Sequence, residues 1–209
     1  MRAEENLLPT AWDNRGVYLK RYSDLVSLDD GYMRVFYKEN AVYIEYYDND
    51  FNVKSKKNIP MELDLWGGFY NGSDGYYLVE GQNNEEEDDA KEVIRVIRYD
   101  RNWNKTGTAH ITGVAGDEFG QVRYPFDGCV EMAEINGTLY IATGHEGYVD
   151  ASFGQGHQGL LVIAVDQSTM TGKIIEYDLG HSFSQYVKVR DNQLYLLEQS
   201  EGSRCTTLS

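Results

Sequence analysis

Alternating apolar and polar positions dominate the chain and predict short strands joined by tight turns. The stretches "YIEYYDNDFNVKSKKNI" and "VIRVIRYDRNWNKTGTAHI" share one plan: an alternating run, Tyr-Asp, two residues, an aromatic followed by Asn, and a second β-capable run. Tyr47-Asp48 corresponds to Tyr99-Asp100, and Phe51-Asn52 to Trp103-Asn104. A looser third copy is "LLVIAVDQSTMTGKIIEYDL", with Val165-Asp166 at the turn. An Asx residue that opens a turn between two such runs predicts a hairpin. A second hairpin precedes each of these, in "WGGFYNGSDGYYLVEG", "FDGCVEMAEINGTLYIATG" and "FSQYVKVRDNQLYLLEQ", and "SDLVSLDDGYMRVFY" fits the same slot. Asn71-Gly72, Asn136-Gly137, Asp191-Asn192 and Asp30-Gly31 are the tight-turn dipeptides of these units.

Two hairpins per unit, repeating about every 50 to 60 residues, predict the four-stranded antiparallel blades of an all-β propeller. The blades are expected at about 22–62, 63–112 and 124–180, with an incomplete one at 181–209 and a loop inserted at 113–123. Three and a half blades do not close a ring. Either "GVYLKRY" at 16–22 supplies the outer strand of a small four-bladed ring, or a missing segment or partner chain completes a larger one. The terminal "RCTTLS" resembles the start of a strand whose hairpin is missing, which favours the second alternative.

Composition supports the all-β expectation. Seventeen Tyr and 21 Gly against 3 Pro suit half-buried pleated surfaces and tight turns. A net charge of −15 argues against nucleic acid and anionic membrane surfaces as partners. The densest acidic run, Glu85 to Asp89, is expected to be a solvated loop tip; the alternative is a cation site, although the run lacks the spaced carboxylates of a calcium loop. Cys129 and Cys205 do not make a disulfide framework, and free buried thiols are expected. No stretch has the length and apolarity of a spanning helix, and the N-terminus has no hydrophobic signal core.

Three of the four histidines follow a glycine: His145, His157 and His181. His145 is expected to close one strand and His157 to precede the next, with Glu146 to Gly156 as a long hairpin loop that sets both at one end of a blade. His181 would open the adjacent blade. Three imidazoles converging there, with Glu146 and Gln185 near, would hold a divalent transition metal. The competing expectation is turn chemistry, in which each imidazole bonds backbone groups at a strand end. His110, on an outer strand, is expected to be structural or solvent-facing. No G-x-S-x-G, P-loop or H-E-x-x-H motif occurs.

From about Tyr32 to Arg204 the chain resembles a family of β-propeller-like repeat regions in large exported proteins of Gram-positive bacteria. The resemblance is carried by Gly67 to Trp103, by Pro125 to Gly128, by His145-Glu146 with Tyr148, by His157-Gln158 and by "HSFSQ", His181 to Gln185. The family usually has a bulkier residue at Gly147 and Asn at Gly156. The resemblance implies an extracellular or cell-surface location and no established activity. Glu146, Tyr148, Gln158 and Gln185 are the candidate ligand-binding residues.

Three functions compete. A non-catalytic binding module would use Tyr, Trp, Asn and Asp on its loops to hold a glycan or a protein. A metal-dependent lyase or hydrolase would use His145, His157 and His181, with Glu146 as base. A structural spacer would need only the acidic surface, which keeps a large assembly soluble.

Overall fold

The computed structural model describes residues 21, 23–113, 120–126, 130–152, 154–179, 185–199 and 206–208. Among them no helix occurs, and fifteen strands form four separate antiparallel meanders. The first sheet is β1 (Ser23–Leu28), β2 (Gly31–Lys38), β3 (Ala41–Tyr47) and β4 (Val53–Pro60). The second is β5 (Leu65–Asn71), β6 (Tyr76–Gly81), β7 (Glu92–Tyr99) and β8 (Lys105–Thr112). The third is β9 (Glu131–Ile135), β10 (Thr138–Asp150), β11 (Gln155–Asp166) and β12 (Thr171–Leu179). The fourth has three strands, β13 (Tyr186–Arg190), β14 (Gln193–Gln199) and β15 (Thr206–Leu208). Each sheet keeps its strands in chain order and none closes on itself, an arrangement consistent with propeller blades.

Strand alternation sends apolar side chains to both faces of the middle sheets. In β6, Leu78 faces the first sheet with Tyr76, while Tyr77 and Val79 face the third. One cluster therefore joins the first two sheets through Met33, Val35, Ile44, Phe69 and Leu78. A second joins the second and third sheets through Val79, Ile94, Ile111, Leu139 and Ile163. A third joins Leu160 and Val162 to Val187 and Leu196 of the fourth sheet. On the outward face of the first sheet, Phe36 is buried beneath the Arg34 guanidinium, 3.9 Å from its ring centre, and beside Tyr43.

The first two Asx turns share one geometry, and the third is a variant of it. Asp48 Oδ1 accepts the amides of Asp50 and Asn52 at 2.9 and 2.8 Å. Asp100 Oδ1 accepts those of Asn102 and Asn104, both at 2.8 Å. Asp166 accepts those of Ser168 and Thr169 at 2.9 and 2.8 Å. Each turn then places a large side chain at positive φ: Phe51 at 60°, Trp103 at 65° and Met170 at 52°. A bulge beside the first two turns absorbs the extra residue. Trp103 is tucked against the preceding sheet, its indole N–H donating to Tyr46 Oη at 3.0 Å. Met170 likewise fills the space left by Gly107, where a Cβ would lie 2.5 Å from its Cγ.

Polar groups fasten the same interfaces. Glu80, fully buried, accepts the amides of Glu62 and Leu63 at 2.7 and 3.0 Å and so holds the link between the first two sheets. Gln167 donates to Glu134 at 2.8 Å and to Tyr77 Oη at 3.1 Å, latching the third sheet to the second. Tyr77 also donates to Asp74 at 2.8 Å, and burial pushes its hydroxyl up to about 12.

Candidate functional site

The expected loop between His145 and His157 is largely strand. β10 runs on to Asp150 and β11 begins at Gln155, so the connection shrinks to a tight turn near 151–154. The physical reason is self-pairing: Val149 pairs with Gly156 and Asp150 with Gln155, past a bulge that sets Gly147 and Tyr148 opposite His157. Gly156 is needed there, because a Cβ would lie 2.5 Å from the Gly147 carbonyl oxygen. Among the described residues, β9 pairs with 138–142 at the base of β10, and β12 pairs with β11 from Gly159 onward.

The β10–β11 arm is braced on one side by the acidic segment. Glu87 accepts the amide of Val149 at 2.9 Å, and Tyr148 Oη donates to Asp89 at 3.1 Å. Asn84, fully buried, organises the brace: its Nδ2 lies 3.0 Å from Tyr148 Oη, 3.0 Å from the Asp88 carbonyl and 3.1 Å from that of Val122. Its Oδ1 accepts the Asp88 amide at 3.0 Å. Burial first, and the Asp89 carboxylate second, push the Tyr148 hydroxyl up to about 12, so it stays a donor at neutral pH. At the arm's root, Glu146 and Tyr124 exchange backbone hydrogen bonds at 2.9 and 3.1 Å.

The candidate site residues divide between two faces. His145 pairs with Gly159, and alternation along β11 puts it on the same face as His157, toward the second sheet. His145 is buried, with Nδ1 3.2 Å from the Gly159 carbonyl. His157 is half-exposed, with Nε2 4.0 Å from Asp150 Oδ2. Glu146 and Gln158 pair on the opposite face, and there Gln185, buried, donates to the Ala142 carbonyl at 3.3 Å. His181, Cys129 and Cys205 lie outside the described residues, as do 16–20 of the proposed closing strand and 114–119 of the expected inserted loop. Among the described residues no three His, Cys, Asp or Glu side chains are grouped to hold a metal. His110 is exposed, with Nδ1 2.6 Å from Glu92 Oε1.

Sequence reasoning missed Asn84, Glu87, Asp89 and Asp150. Their signal was diluted, since a run of five acidic residues looks like a solvated tip whichever of them turns inward. Lys91 pairs with Glu86 at 2.5 Å, and Ala90 donates to Asp88 at 2.9 Å, so much of the run is locally satisfied.

A second polar centre lies beside the first strands of the sheets. Arg21 donates to the buried Glu131 at 2.5 Å and lies 3.8 Å from Asp24, and its carbonyl accepts the Trp66 indole N–H at 2.8 Å. Burial, opposed by Arg21 and reinforced by Glu131, pushes Asp24 up to about 6. The folded state thus favours protonated Asp24, and its contribution to stability falls as pH rises from about 4 through about 6. Over that range the unfolding free energy of Asp24→Asn should gain on that of the parent by roughly 2–3 kcal/mol. Urea titrations at pH 4, 5, 6 and 7 measure it, and a constant difference would remove Asp24 as the titrating group.

No protein-family model matches the chain, and no curated protein matches it in sequence. Among solved structures, a monoclinic crystal form of an ACO/RPE65 chimera is similar over 85% of this chain and 45% of its own length, with 12% identity and a TM-score of 0.48. Another crystal structure of an ACO/RPE65 chimera is similar over 86% of this chain and 46% of its own, with 9% identity and a TM-score of 0.46. The chain spans less than half the length of either, and both likenesses are too slight to carry an argument.

Proposed function

We propose that the protein is a non-catalytic binding module whose four sheets are successive blades of a β-propeller, with the β10–β11 arm as its recognition element. The blade reading is supported by apolar clusters that link each sheet to the next. The observation that carries the binding reading is the braced arm. A long hairpin would cost conformational entropy if its end were left loose, and here side chains of the second sheet's β6–β7 connection fix it. Its end presents Asp150, Ser152, Gln155 and His157, hydrogen-bonding groups on a stiff scaffold. A chain charge of −15 disfavours anionic ligands, and with the hydrogen-bonding groups at the arm's end a neutral glycan is the first candidate. The family resemblance supports an extracellular or cell-surface setting.

The test is an array of neutral oligosaccharides probed with the intact chain and with an Asp150→Ala, His157→Ala double variant. Saturable binding that the double variant loses is the expected result, and binding that it retains would remove the arm from recognition. Near-stoichiometric zinc, manganese or nickel in untagged protein, lost in His145→Ala, would replace this reading with a metal-dependent one.

A further inference from the structure

Arg123 stands at the root of the arm with its hydrogen-bonding capacity unused. Arg34, Arg95, Arg98 and Arg101 each donate to a side-chain oxygen of the chain, whereas the Arg123 guanidinium donates to none among the described residues. Its Nε is buried without an acceptor, and Glu87 Oε1 lies 3.8 Å from it, too far for a hydrogen bond. Its two terminal nitrogens are also unbonded, and solvent reaches them. Glu87 is its counterpart. Oε1 accepts the Val149 amide at 2.9 Å, while Oε2 is unbonded and open to solvent.

The backbone holds both residues in place. The Arg123 N–H donates to the Glu146 carbonyl at 2.9 Å, and the Arg123 carbonyl accepts the Asn84 amide at 2.8 Å. The Glu87 amide donates to the Asn84 carbonyl at 3.1 Å, so the fully buried Asn84 anchors the two together. Through Val149, Glu87 is also tied to the arm one residue before Asp150, and the pair therefore adjoins the arm's end. The half-buried ring of Tyr124 lies beside the guanidinium, its centre 5.2 Å from Arg123 Cζ.

A guanidinium with free donors next to a carboxylate with a free acceptor suits two neighbouring hydroxyls of a sugar. One hydroxyl accepts from Arg123, and the next donates to Glu87, both in charge-assisted bonds. The Tyr124 ring offers an apolar surface to the C–H face of a pyranose. The two charges offset each other, so an uncharged ligand leaves neither without its partner. An acidic sugar gains Arg123 but meets the Glu87 carboxylate beside it. From this geometry we infer that Arg123 and Glu87 form a diol subsite for a neutral pyranose, and that Glu87 is the residue that excludes acidic sugars. The inference rests on the arm reading above and supplies the residues behind its ligand class.

The experiment is calorimetric titration of the full chain with matched probes: galactose and galacturonate oligomers of equal length, then glucose and glucuronate oligomers. Within each pair only a hydroxymethyl group is exchanged for a carboxylate. The parent is expected to bind a neutral oligomer and not its acidic counterpart. Arg123→Gln should bind the neutral oligomer about 10- to 100-fold more weakly, the effect of losing hydrogen bonds to a charged group. Glu87→Gln keeps an oxygen for the Val149 amide but sets an NH2 group where the free acceptor was. It should weaken the neutral oligomer and admit the acidic one, a gain that a purely structural Glu87 does not produce. Circular dichroism checks folding, and should Arg123→Gln misfold, Arg123→Lys keeps the charge and loses the planar fork, with a similar loss expected. A folded Arg123 variant that binds like the parent would overturn the inference, as would a parent that takes both oligomers of a pair equally. So would a Glu87→Gln protein that still refuses the acidic one. The arm reading fails separately, by a parent that binds no neutral oligosaccharide or by binding that survives in the Asp150→Ala, His157→Ala double variant. Binding lost in that double variant but kept in Arg123→Gln removes the diol subsite alone.

Discussion

Trp103→Ala should lower the unfolding free energy by about 3–5 kcal/mol, the range for deleting a buried large aromatic. The indole stacks on Tyr76 at 4.5 Å, lies 6.0 Å from Phe69 and 5.7 Å from Tyr99, and donates to the Tyr46 hydroxyl of the first sheet. Deleting it opens a cavity at the contact between two sheets and takes a donor from Tyr46. Trp103→Phe keeps most of the ring contacts and should cost less, about 1 kcal/mol of it from the hydrogen bond. Phe51→Ala changes the matching turn position where the ring is more than half exposed, and should cost under about 1 kcal/mol in a single chain. Urea unfolding monitored by circular dichroism gives all three values. Equal costs at Trp103 and Phe51 would mean that the turn itself, and not burial between sheets, sets the effect.

Gly31→Ala should be comparably severe, at about 3–5 kcal/mol, for a different reason. Its φ of +144° is a conformation that side chains avoid, and a Cβ there would lie 1.9 Å from the Tyr47 carbonyl oxygen. The clash is with backbone, so β2 and β3 would have to separate where Tyr32 pairs with Tyr47. Gly154→Ala is the control: φ is +67°, and nothing lies within 4 Å of the added carbon. That change should cost only about 1 kcal/mol of backbone strain. Chemical denaturation separates the two, and a Gly31→Ala protein as stable as Gly154→Ala would mean the strand ends yield easily.

These positions show which parts of the fold local sequence encodes. Asp48 and Asp100 open their turns with bonds to residues two and four further on, so a short window contains the whole cause. The alternating burial over Gly31 to Val35 and over Ala41 to Ile44 is equally local, and it ends at Phe36 and Glu45, which are buried on the opposite face. The arm was not legible, because its cause is distant: Gly144, Gly147, Gly154 and Gly156 look like loop residues until Glu87, Asp89 and Asn84 hold the paired strands. Of the candidate site, the nearness of His145 and His157 to one end of a long hairpin was readable. Their division from Glu146 and Gln158 was not, since it depends on alternation continuing through residues that looked irregular.

The clusters between sheets also have a consequence for how the chain is made. Among the described residues, each cluster joins sheets that are neighbours in chain order. During synthesis, therefore, the apolar face of the first sheet waits for the second, and that of the second for the third, while the Arg21–Glu131 pair forms once the third sheet is made. A growing chain offers its surroundings one unfinished apolar face at a time, and each new meander covers the face left by the last. Slow-folding β proteins are most vulnerable while such faces and strand edges stand open. Here that interval is set by the time needed to make one further sheet, not the whole chain.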